Sequence, residues 1–200
     1  IRVTDKETIK IVSETLDKIV NKEIVDLINK NGGNSLGVST DRKDIITVKK
    51  FQSNKTDYGY VGNVTDVNTN YLYDLMNSNY IPVIAPLGFD ENDKIHNINA
   101  DIAASKIASY LSAEKIIFLT DTPGVLSENK TLLSALNPKE IKKYIDSGVI
   151  SGGMLPKIQA SIEAIKNGVK TAHIIDGRIQ HSVLLEIFTN EGIGTLVKNG

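Results

Sequence analysis

The chain has 200 residues, of which 40% are hydrophobic and 24% charged, a composition typical of a folded domain with one sizeable core. The 23 basic and 24 acidic side chains give a net charge of −1, which argues against nucleic acid or an anionic membrane as a partner. Cysteine is absent, which excludes disulfides, thiolate metal sites and a cysteine nucleophile. The apolar runs are too short to span a membrane.

The first third of the chain predicts helices followed by a β-hairpin. Thr4-Asp-Lys-Glu7 has the spacing of a capping box, and apolar residues at helical spacing follow it as far as Asn31-Gly-Gly33, which supplies a left-handed stop. Asn21 is a candidate cap for a second helix within this stretch. Residues 35–39 and 44–48 predict short strands around a polar turn, which favours a β-hairpin.

From residue 67 onwards the pattern alternates between helices and apolar strands. The predicted helices are 70–77, 100–111, one starting at Asn137-Pro138, and 154–166, and the predicted strands are 80–86, 115–120 and 171–175. Strands that are apolar on both faces and alternate with helices indicate an α/β fold with a mostly parallel, covered sheet. Ligands in such folds lie at the carboxyl ends of strands, which directs attention to the loops after Leu87, Thr120 and Ile175.

Two glycine-containing loops are candidates for ligand contact. Asp121-Thr-Pro-Gly-Val125 follows a predicted strand, and its carboxylate could accept hydrogen bonds from a sugar or base; a simple turn capped by Asp121 is the alternative. Ser151-Gly-Gly-Met-Leu-Pro-Lys157 places two glycines before a helix, whose amino terminus favours a phosphate. Lys157 on the first turn is unfavourable unless an anion compensates it, although a solvated lysine is the alternative.

The remaining polar residues do not indicate a metal site or a hydrolase. Asn97 precedes a predicted helix and Asp101 lies in its first turn, and such residues are most often caps. The three histidines, at positions 96, 173 and 181, match no zinc motif, and neither a Walker A nor a G-x-G-x-x-G sequence occurs. A carboxylate nucleophile is already ionised near neutral pH, so its phosphorylation would need orientation and charge neutralisation only.

Taken in order, these motifs resemble those of the acetylglutamate kinases, a branch of the amino-acid kinase family. The motifs that carry the resemblance are Arg2-Val-Thr-Asp5, Val20-Asn-Lys-Glu-Ile-Val25, Gly59-Tyr-Val-Gly62, Tyr80-Ile-Pro-Val-Ile-Ala85, Asn97-Ile-Asn-Ala-Asp101, Leu119-Thr-Asp121, Ser151-Gly-Gly-Met154 and His173-Ile-Ile-Asp-Gly177. The resemblance implies a three-layer α/β/α sandwich with a mainly parallel sheet. It also implies ATP-dependent phosphorylation of the γ-carboxylate of N-acetyl-L-glutamate, the second step of arginine biosynthesis. Residues 1–88 would be the remainder of an acetylglutamate-binding and dimerisation lobe with the hairpin, and 89–200 an ATP-binding lobe, on one continuous sheet.

The resemblance also implies roles for individual residues. Arg2 and Asn97 would bind N-acetylglutamate, Lys157 would neutralise the transferring phosphoryl group, and Asp101 would position a catalytic lysine. The implied nucleotide site consists of Asp121, Gly124, Leu126, Ile150, Ser151 and Gly152, with Mg²⁺ carried on the phosphates of ATP and no metal held by the protein. His173, Glu186 and Gly192 resemble the arginine-inhibited branch of the family, so arginine is an expected inhibitor. A homo-oligomer, dimer or hexamer, is also implied, and the signalling protein PII stays open as a partner.

One departure from the family is that the sequence lacks two motifs, the phosphate-binding Lys-x-Gly-Gly motif and the Gly-Gly substrate loop. Relatives carry both motifs upstream of the segment matching Arg2. Lys30-Asn-Gly-Gly33 has a similar spelling but follows a helical pattern, so we interpret it as a helix C-cap. We therefore expect an acetylglutamate kinase without its amino-terminal part, with little or no kinase activity of its own. The alternatives are another amino-acid kinase, such as a carbamate or aspartate kinase, and a non-catalytic arginine-sensing or partner-binding module. The expected location is the cytoplasm, or the plastid stroma for a plastid-encoded chain.

Overall fold

The computed structural model describes residues 3–38, 40–53, 56–189 and 192–199. The elements in chain order are α1 (Lys6–Ser13), a π-helical segment (Glu14–Asn21), α2 (Lys22–Lys30), β1 (Ser35–Val38), β2 (Ile46–Lys50), β3 (Gly62–Val67), α3 (Thr69–Asn77), β4 (Ile81–Ile84), β5 (Leu87–Phe89), β6 (Ile95–Asn97), α4 (Ala100–Tyr110), β7 (Lys115–Thr120), β8 (Ala135–Leu136), α5 (Pro138–Asp146), α6 (Met154–Lys166), β9 (Thr171–Asp176), α7 (Ser182–Phe188) and β10 (Thr195–Lys198). Two compact units, Ile1–Ala103 and Ala104–Gly200, divide within α4. None of the described helices is long and apolar enough to cross a membrane.

The first unit begins with continuous helix from α1 through the π-helical segment into α2. Asp5 is the N-cap, because its carboxylate accepts a hydrogen bond from the Thr8 N–H at 2.7 Å. The predicted capping box at Thr4 is therefore wrong: Thr4 is buried and forms a parallel bridge with Gly59, which takes it out of the helix start.

α2 starts directly after Asn21, but the predicted cap from the Asn21 side chain is wrong, whereas the predicted helix end is confirmed. The Asn21 side chain caps nothing and instead donates to the Val83 carbonyl at 2.8 Å. α2 ends at Lys30, and Gly32 follows with a φ of +84°, the left-handed conformation that glycine adopts readily. Lys30-Asn-Gly-Gly33 is accordingly a helix C-cap.

The hairpin of the first unit lies later in the chain than predicted. β1 pairs in parallel with β4, and β2 pairs antiparallel with β3, so β1 and β2 do not form the predicted hairpin with each other. Asn29 of α2 connects that helix to β1: its side chain accepts from Ser35 N at 2.6 Å and donates to Ser35 O at 3.2 Å. The hairpin is formed by β2 and β3, and β5 and β6 extend it into a sheet of order β3-β2-β5-β6.

The second unit contains a four-stranded sheet of order β7-β9-β10-β8. β7 and β9 are parallel, β9 and β10 antiparallel, and β10 and β8 parallel. The core side chains come from the sheet, from α4, α5 and α6 and from the loops between them, and they include Phe118, Ile141, Ile158, Ile174 and Val197. α5 begins with the predicted Asn137-Pro138, where Asn137 and Glu140 form a capping box.

The sheet organisation differs from the single continuous sheet expected from sequence. The described strands form three sheets, with four parallel and three antiparallel pairings. The compact units divide at residue 103 rather than 88, because β5 pairs with β2 and β6 pairs with β5, which keeps residues 87–97 in the first unit. The assignment of a substrate lobe and a nucleotide lobe stays a prediction.

Candidate functional site

The loop of residues 121–126, here the β7 loop, is held tightly against β10. Gly124 is buried with a φ of +141°, and a Cβ there would lie 2.6 Å from Thr195 Oγ1. Val125 N donates to the same oxygen at 2.8 Å. Leu126 forms an antiparallel bridge with Leu132. Glycine is therefore required at position 124, since a side chain would strain the backbone and displace β10.

Two side chains at the start of the β7 loop remain available to a ligand. Asp121 is exposed at the carboxyl end of β7. The Thr122 hydroxyl is buried and has no hydrogen-bond partner within the described part of the chain. An orphaned buried hydroxyl is costly unless something binds it, so this loop fits a polar ligand.

The glycine turn before α6 is exposed to solvent. Ser151, Gly152 and Gly153 are exposed, and a Cβ at either glycine would meet nothing within 4 Å. The first two N–H groups of α6 are paired within the turn, since Met154 N donates to the Ser151 carbonyl at 3.2 Å and Leu155 N donates to the Gly152 carbonyl at 3.3 Å. Lys157 is the fourth residue of this helix and is half-buried. The positive end of the helix and a lysine therefore lie together, an arrangement that suits phosphate groups.

Ile150 anchors the same turn from the other side. It is 2% exposed, and its N–H donates to the Tyr144 carbonyl of α5 at 3.0 Å. Of the predicted nucleotide residues, Ile150 thus packs in the core, while Ser151 and Gly152 present backbone to solvent.

An ion pair that sequence reasoning missed lies at the end of β9, beside the β7 loop. β7 and β9 end side by side, with Thr120 paired to Asp176, and Gly177 N donates to the Thr120 carbonyl at 2.8 Å. Arg178 donates two hydrogen bonds to the Asp176 carboxylate, at 2.9 and 2.7 Å. These bonds, with a further one from the Arg178 N–H, lower the pKa of Asp176 to about 2. The only sequence signal for this pair was its place in the loop after Ile175.

Arg178 brings a fixed positive charge to the edge of the sheet where Asp121 lies. Its side chain is 65% exposed although Asp176 is buried. Its pKa is raised mainly by the hydrogen bond to Asp176, and the charge of Asp121 contributes as well. The β7 loop therefore has an arginine near its first residue.

The structure brings together His173, Glu186 and Gly192, three residues distant in sequence. His173 Nδ1 lies 2.6 Å from Glu186 Oε1, and Ile193 N donates to Glu186 Oε2 at 2.7 Å. Burial alone would raise the pKa of Glu186, but the hydrogen bonds from Ile193 and His173 outweigh it and the pKa is lowered. Gly192 has a φ of +63°, and a Cβ there would lie 3.2 Å from Glu186 Oε2. This corner holds a buried carboxylate anion.

In the first unit, Asn97 lines a cavity of about 310 Å³ with Phe51, Val61, Gly62, Asn63, Asn99 and Ile102. The Asn97 side chain donates to Thr4 Oγ1 at 3.5 Å, and its backbone N–H donates to the Tyr60 carbonyl at 2.8 Å. Asn99 caps the start of α4 by accepting from Ile102 N at 3.1 Å, and Asp101 lies half-buried in the first turn. Arg2 lies outside the described residues.

A larger cavity of about 710 Å³ lies over the β2–β3 hairpin, and its lining contains none of the predicted site residues. No group of three or more His, Asp or Glu side chains among residues 3–38, 40–53, 56–189 and 192–199 is placed to hold a metal ion.

Comparison with known proteins defines the family. The sequence matches the amino acid kinase family over residues 1–176. The acetylglutamate kinase of Campylobacter hominis is 50% identical over 198 residues, covering 99% of this chain and 69% of that protein. The acetylglutamate kinase of Nitrosococcus oceani is 47% identical over 210 residues, covering 99% of this chain and 70% of that protein. The chain belongs to the acetylglutamate kinases of the amino acid kinase family.

Solved structures agree with this membership at the level of the fold. The smu.665 protein of Streptococcus mutans UA159 is 30% identical with a TM-score of 0.85, over 99% of this kinase chain and 74% of that protein. N-acetylglutamate synthase of Neisseria gonorrhoeae, complexed with coenzyme A and N-acetylglutamate, is 23% identical with a TM-score of 0.88, covering 99% of this chain and 45% of that protein. A Giardia carbamate kinase is 16% identical with a TM-score of 0.66, covering 96% of this chain and 72% of that protein. The last two likenesses concern the fold alone, so they give no support to a carbamate kinase.

The predicted α/β sandwich and the predicted kinase class are thus confirmed. The structure places the predicted nucleotide residues in two loops of the second unit and the predicted arginine residues in one corner of it. Asn97 and Asp101 lie in the first unit. The roles of these residues in binding and catalysis remain predictions.

Proposed function

We propose that this chain binds ATP through the β7 loop and the glycine turn before α6, and N-acetyl-L-glutamate through Asn97, for phosphorylation of the γ-carboxylate in arginine biosynthesis. The observation that carries the proposal is the amino terminus of α6, which has the exposed Gly152 and Gly153 in front of it and Lys157 in its first turn. The positive end of the helix dipole and a lysine in the same turn both favour an anionic ligand there. In a member of the acetylglutamate kinases, that ligand is the phosphate chain of ATP.

The reaction itself requires little from the protein beyond orientation and charge. A γ-carboxylate oxygen attacks the γ-phosphorus of ATP, the bond from that phosphorus to the β–γ bridging oxygen breaks, and ADP leaves. Because the carboxylate is ionised at neutral pH, no general base is needed. Lys157 and the α6 amino terminus would stabilise the charge on the transferring group, and Mg²⁺ would enter with the phosphates.

The cavity beside Asn97 suits a small polar substrate. Its volume of about 310 Å³ lies at the lower end of the range for ligand pockets. Asn97 gives one N–H to Thr4, and its other N–H and its carbonyl oxygen would bind the ligand. Arg2, two residues before Thr4 in sequence, would bind a substrate carboxylate through its planar guanidinium.

Arginine would bind at the corner formed by His173, Glu186 and Gly192. Glu186 is 5% exposed and negatively charged, and a buried carboxylate is a suitable partner for a guanidinium or an ammonium group. A homo-oligomer is supported by exposed apolar side chains on the helix of residues 6–30, which include Ile11, Ile19, Ile24 and Leu27.

ADP release with N-acetylglutamate, aspartate or carbamate as the acceptor tests the proposal. From this chain alone we expect little or no ADP release. When the family's upstream Lys-x-Gly-Gly segment precedes these residues, we expect release with N-acetylglutamate alone, and we expect Asn97→Ala to raise the KM for N-acetylglutamate about tenfold, the effect of one lost hydrogen bond to a charged group. Asn70→Ala, at an exposed position in α3, serves as the control and should leave the KM for N-acetylglutamate unchanged. Equal release with carbamate or aspartate would contradict the assignment.

A further inference from the structure

We propose that Thr195 is the positioning residue of the β7 loop: its hydroxyl fixes the backbone on which ATP would rest. The inference deepens the proposed function and rests on it, since that function assigns the β7 loop to the nucleotide. Thr195 lies at the start of β10, 70 residues from the loop it holds.

The contact between Thr195 and the β7 loop is buried and specific. Thr195 is 0% and Val125 1% exposed, and Val125 N donates to Thr195 Oγ1 at 2.8 Å. A buried N–H needs an acceptor, and water has no access to replace this one. Gly124 brings the loop backbone so close that a Cβ would lie 2.6 Å from Thr195 Oγ1 and 3.1 Å from Thr195 N.

The sheet, and not the loop, determines where the Thr195 hydroxyl lies. Thr195 pairs with Ile174 in the antiparallel register of β9 and β10. The preceding Gly194 packs so closely on β9 that a Cβ would lie 2.3 Å from the Ile174 carbonyl oxygen. Leu196 N donates to the Ser134 carbonyl at 2.9 Å on the other side. The hydroxyl is therefore a fixed point, and the loop takes its shape from it.

The loop that Thr195 shapes also contains a buried hydroxyl that could bind a polar ligand. Thr122, three residues before Val125, has a buried hydroxyl without a hydrogen-bond partner within the described part of the chain. Asp121 beside it is exposed. Both side chains belong to the short segment whose far end Thr195 holds, so loss of the Thr195 contact should disturb them together.

Calorimetry with Mg·ADP on Thr195→Val and Thr195→Ser tests the inference. Val keeps the shape of Thr but leaves Val125 N without its acceptor, and we expect the Kd to rise about tenfold, whereas Ser keeps the oxygen and should bind as the wild type does. Asn137→Ala, which removes the α5 cap, is the matched control: it should lower Tm without changing the Kd. The KM for N-acetylglutamate should be unchanged in Thr195→Val.

The outcomes separate this inference from the proposed function. If Thr195→Val binds Mg·ADP as the wild type does, if Thr195→Ser is as weak as Thr195→Val, or if Asn137→Ala weakens binding equally, Thr195 does not position the loop. If the wild type does not bind Mg·ADP, the proposed nucleotide site is wrong and the inference falls with it. Should Thr195→Val not fold, Thr195→Cys replaces it, because a thiol is a poor acceptor of similar size, and the same tenfold rise is expected.

Discussion

Adding one methyl group to Gly124 should reveal how tightly the β7 loop is packed. Gly124→Ala has two costs, because the φ of +141° disfavours any side chain and the new Cβ would lie 2.6 Å from Thr195 Oγ1 and 2.8 Å from Leu132 Cδ1. The backbone strain costs about 1 kcal/mol. Relief of the overlap would break the buried hydrogen bond from Val125 N to Thr195, at a cost of about 2 kcal/mol.

Gly148→Ala separates these two costs. Gly148 also has a positive φ, +80°, but a Cβ there would meet nothing within 4 Å, so it carries the strain without the overlap. In urea unfolding, Gly124→Ala should lose about 2 kcal/mol more than Gly148→Ala, which corresponds to an extra fall in Tm of about 4–8 °C. Equal losses in the two variants would show that the loop is not packed on Thr195 as described.

Two further predictions concern the ion pairs of the second unit. Asp176 has a pKa of about 2 in the folded state, so its stabilising effect is complete above its unfolded pKa, near 4, and disappears as pH falls towards 2. Arg178→Gln should raise that pKa, so the free energy of unfolding should fall less between pH 4 and pH 2 than in the wild type; an unchanged pH profile would contradict the role of Arg178. Glu186→Gln removes the buried charge but keeps an acceptor for Ile193 N, and calorimetry should show arginine binding at least about tenfold weaker. The exposed Thr189→Ala is its control, and arginine binding that survives Glu186→Gln intact would refute the proposed arginine corner.

Much of the second unit was predictable because its signals are local. The run Lys115–Thr120 is a strand by its apolar composition, and Asn137-Pro138 starts α5 through a cap made within four residues. The glycines before α6 indicated the start of that helix for the same reason. Local chemistry also identified the helix end at Gly32.

The errors arose where a residue takes its partner from far along the chain. Thr4 has the spacing of a capping residue, but its hydroxyl accepts from Asn97, 93 residues away. β1 and β2 are neighbours in sequence, yet β1 pairs with β4. The short strands β8 and β10 hold two and four residues, too few for a periodic pattern to be seen. Thr195 could not be found by motif, because its importance depends on a contact with Val125.

Removal of the positive charge of Lys157 gives the most direct test of the proposed phosphate site. Lys157→Met removes the cation and keeps the length of the side chain. In a protein that also carries the family's upstream Lys-x-Gly-Gly segment, kcat for phosphorylation of N-acetylglutamate should fall by about 10²–10³ while its KM changes little. Loss of a lysine from a helix amino terminus should not destabilise the fold, so unfolding cannot explain that loss. Lys166→Met, at the other end of the same helix, is the matched control and should keep full activity. A kcat in Lys157→Met equal to that of the wild type would show that the phosphoryl group is not transferred at the amino terminus of α6.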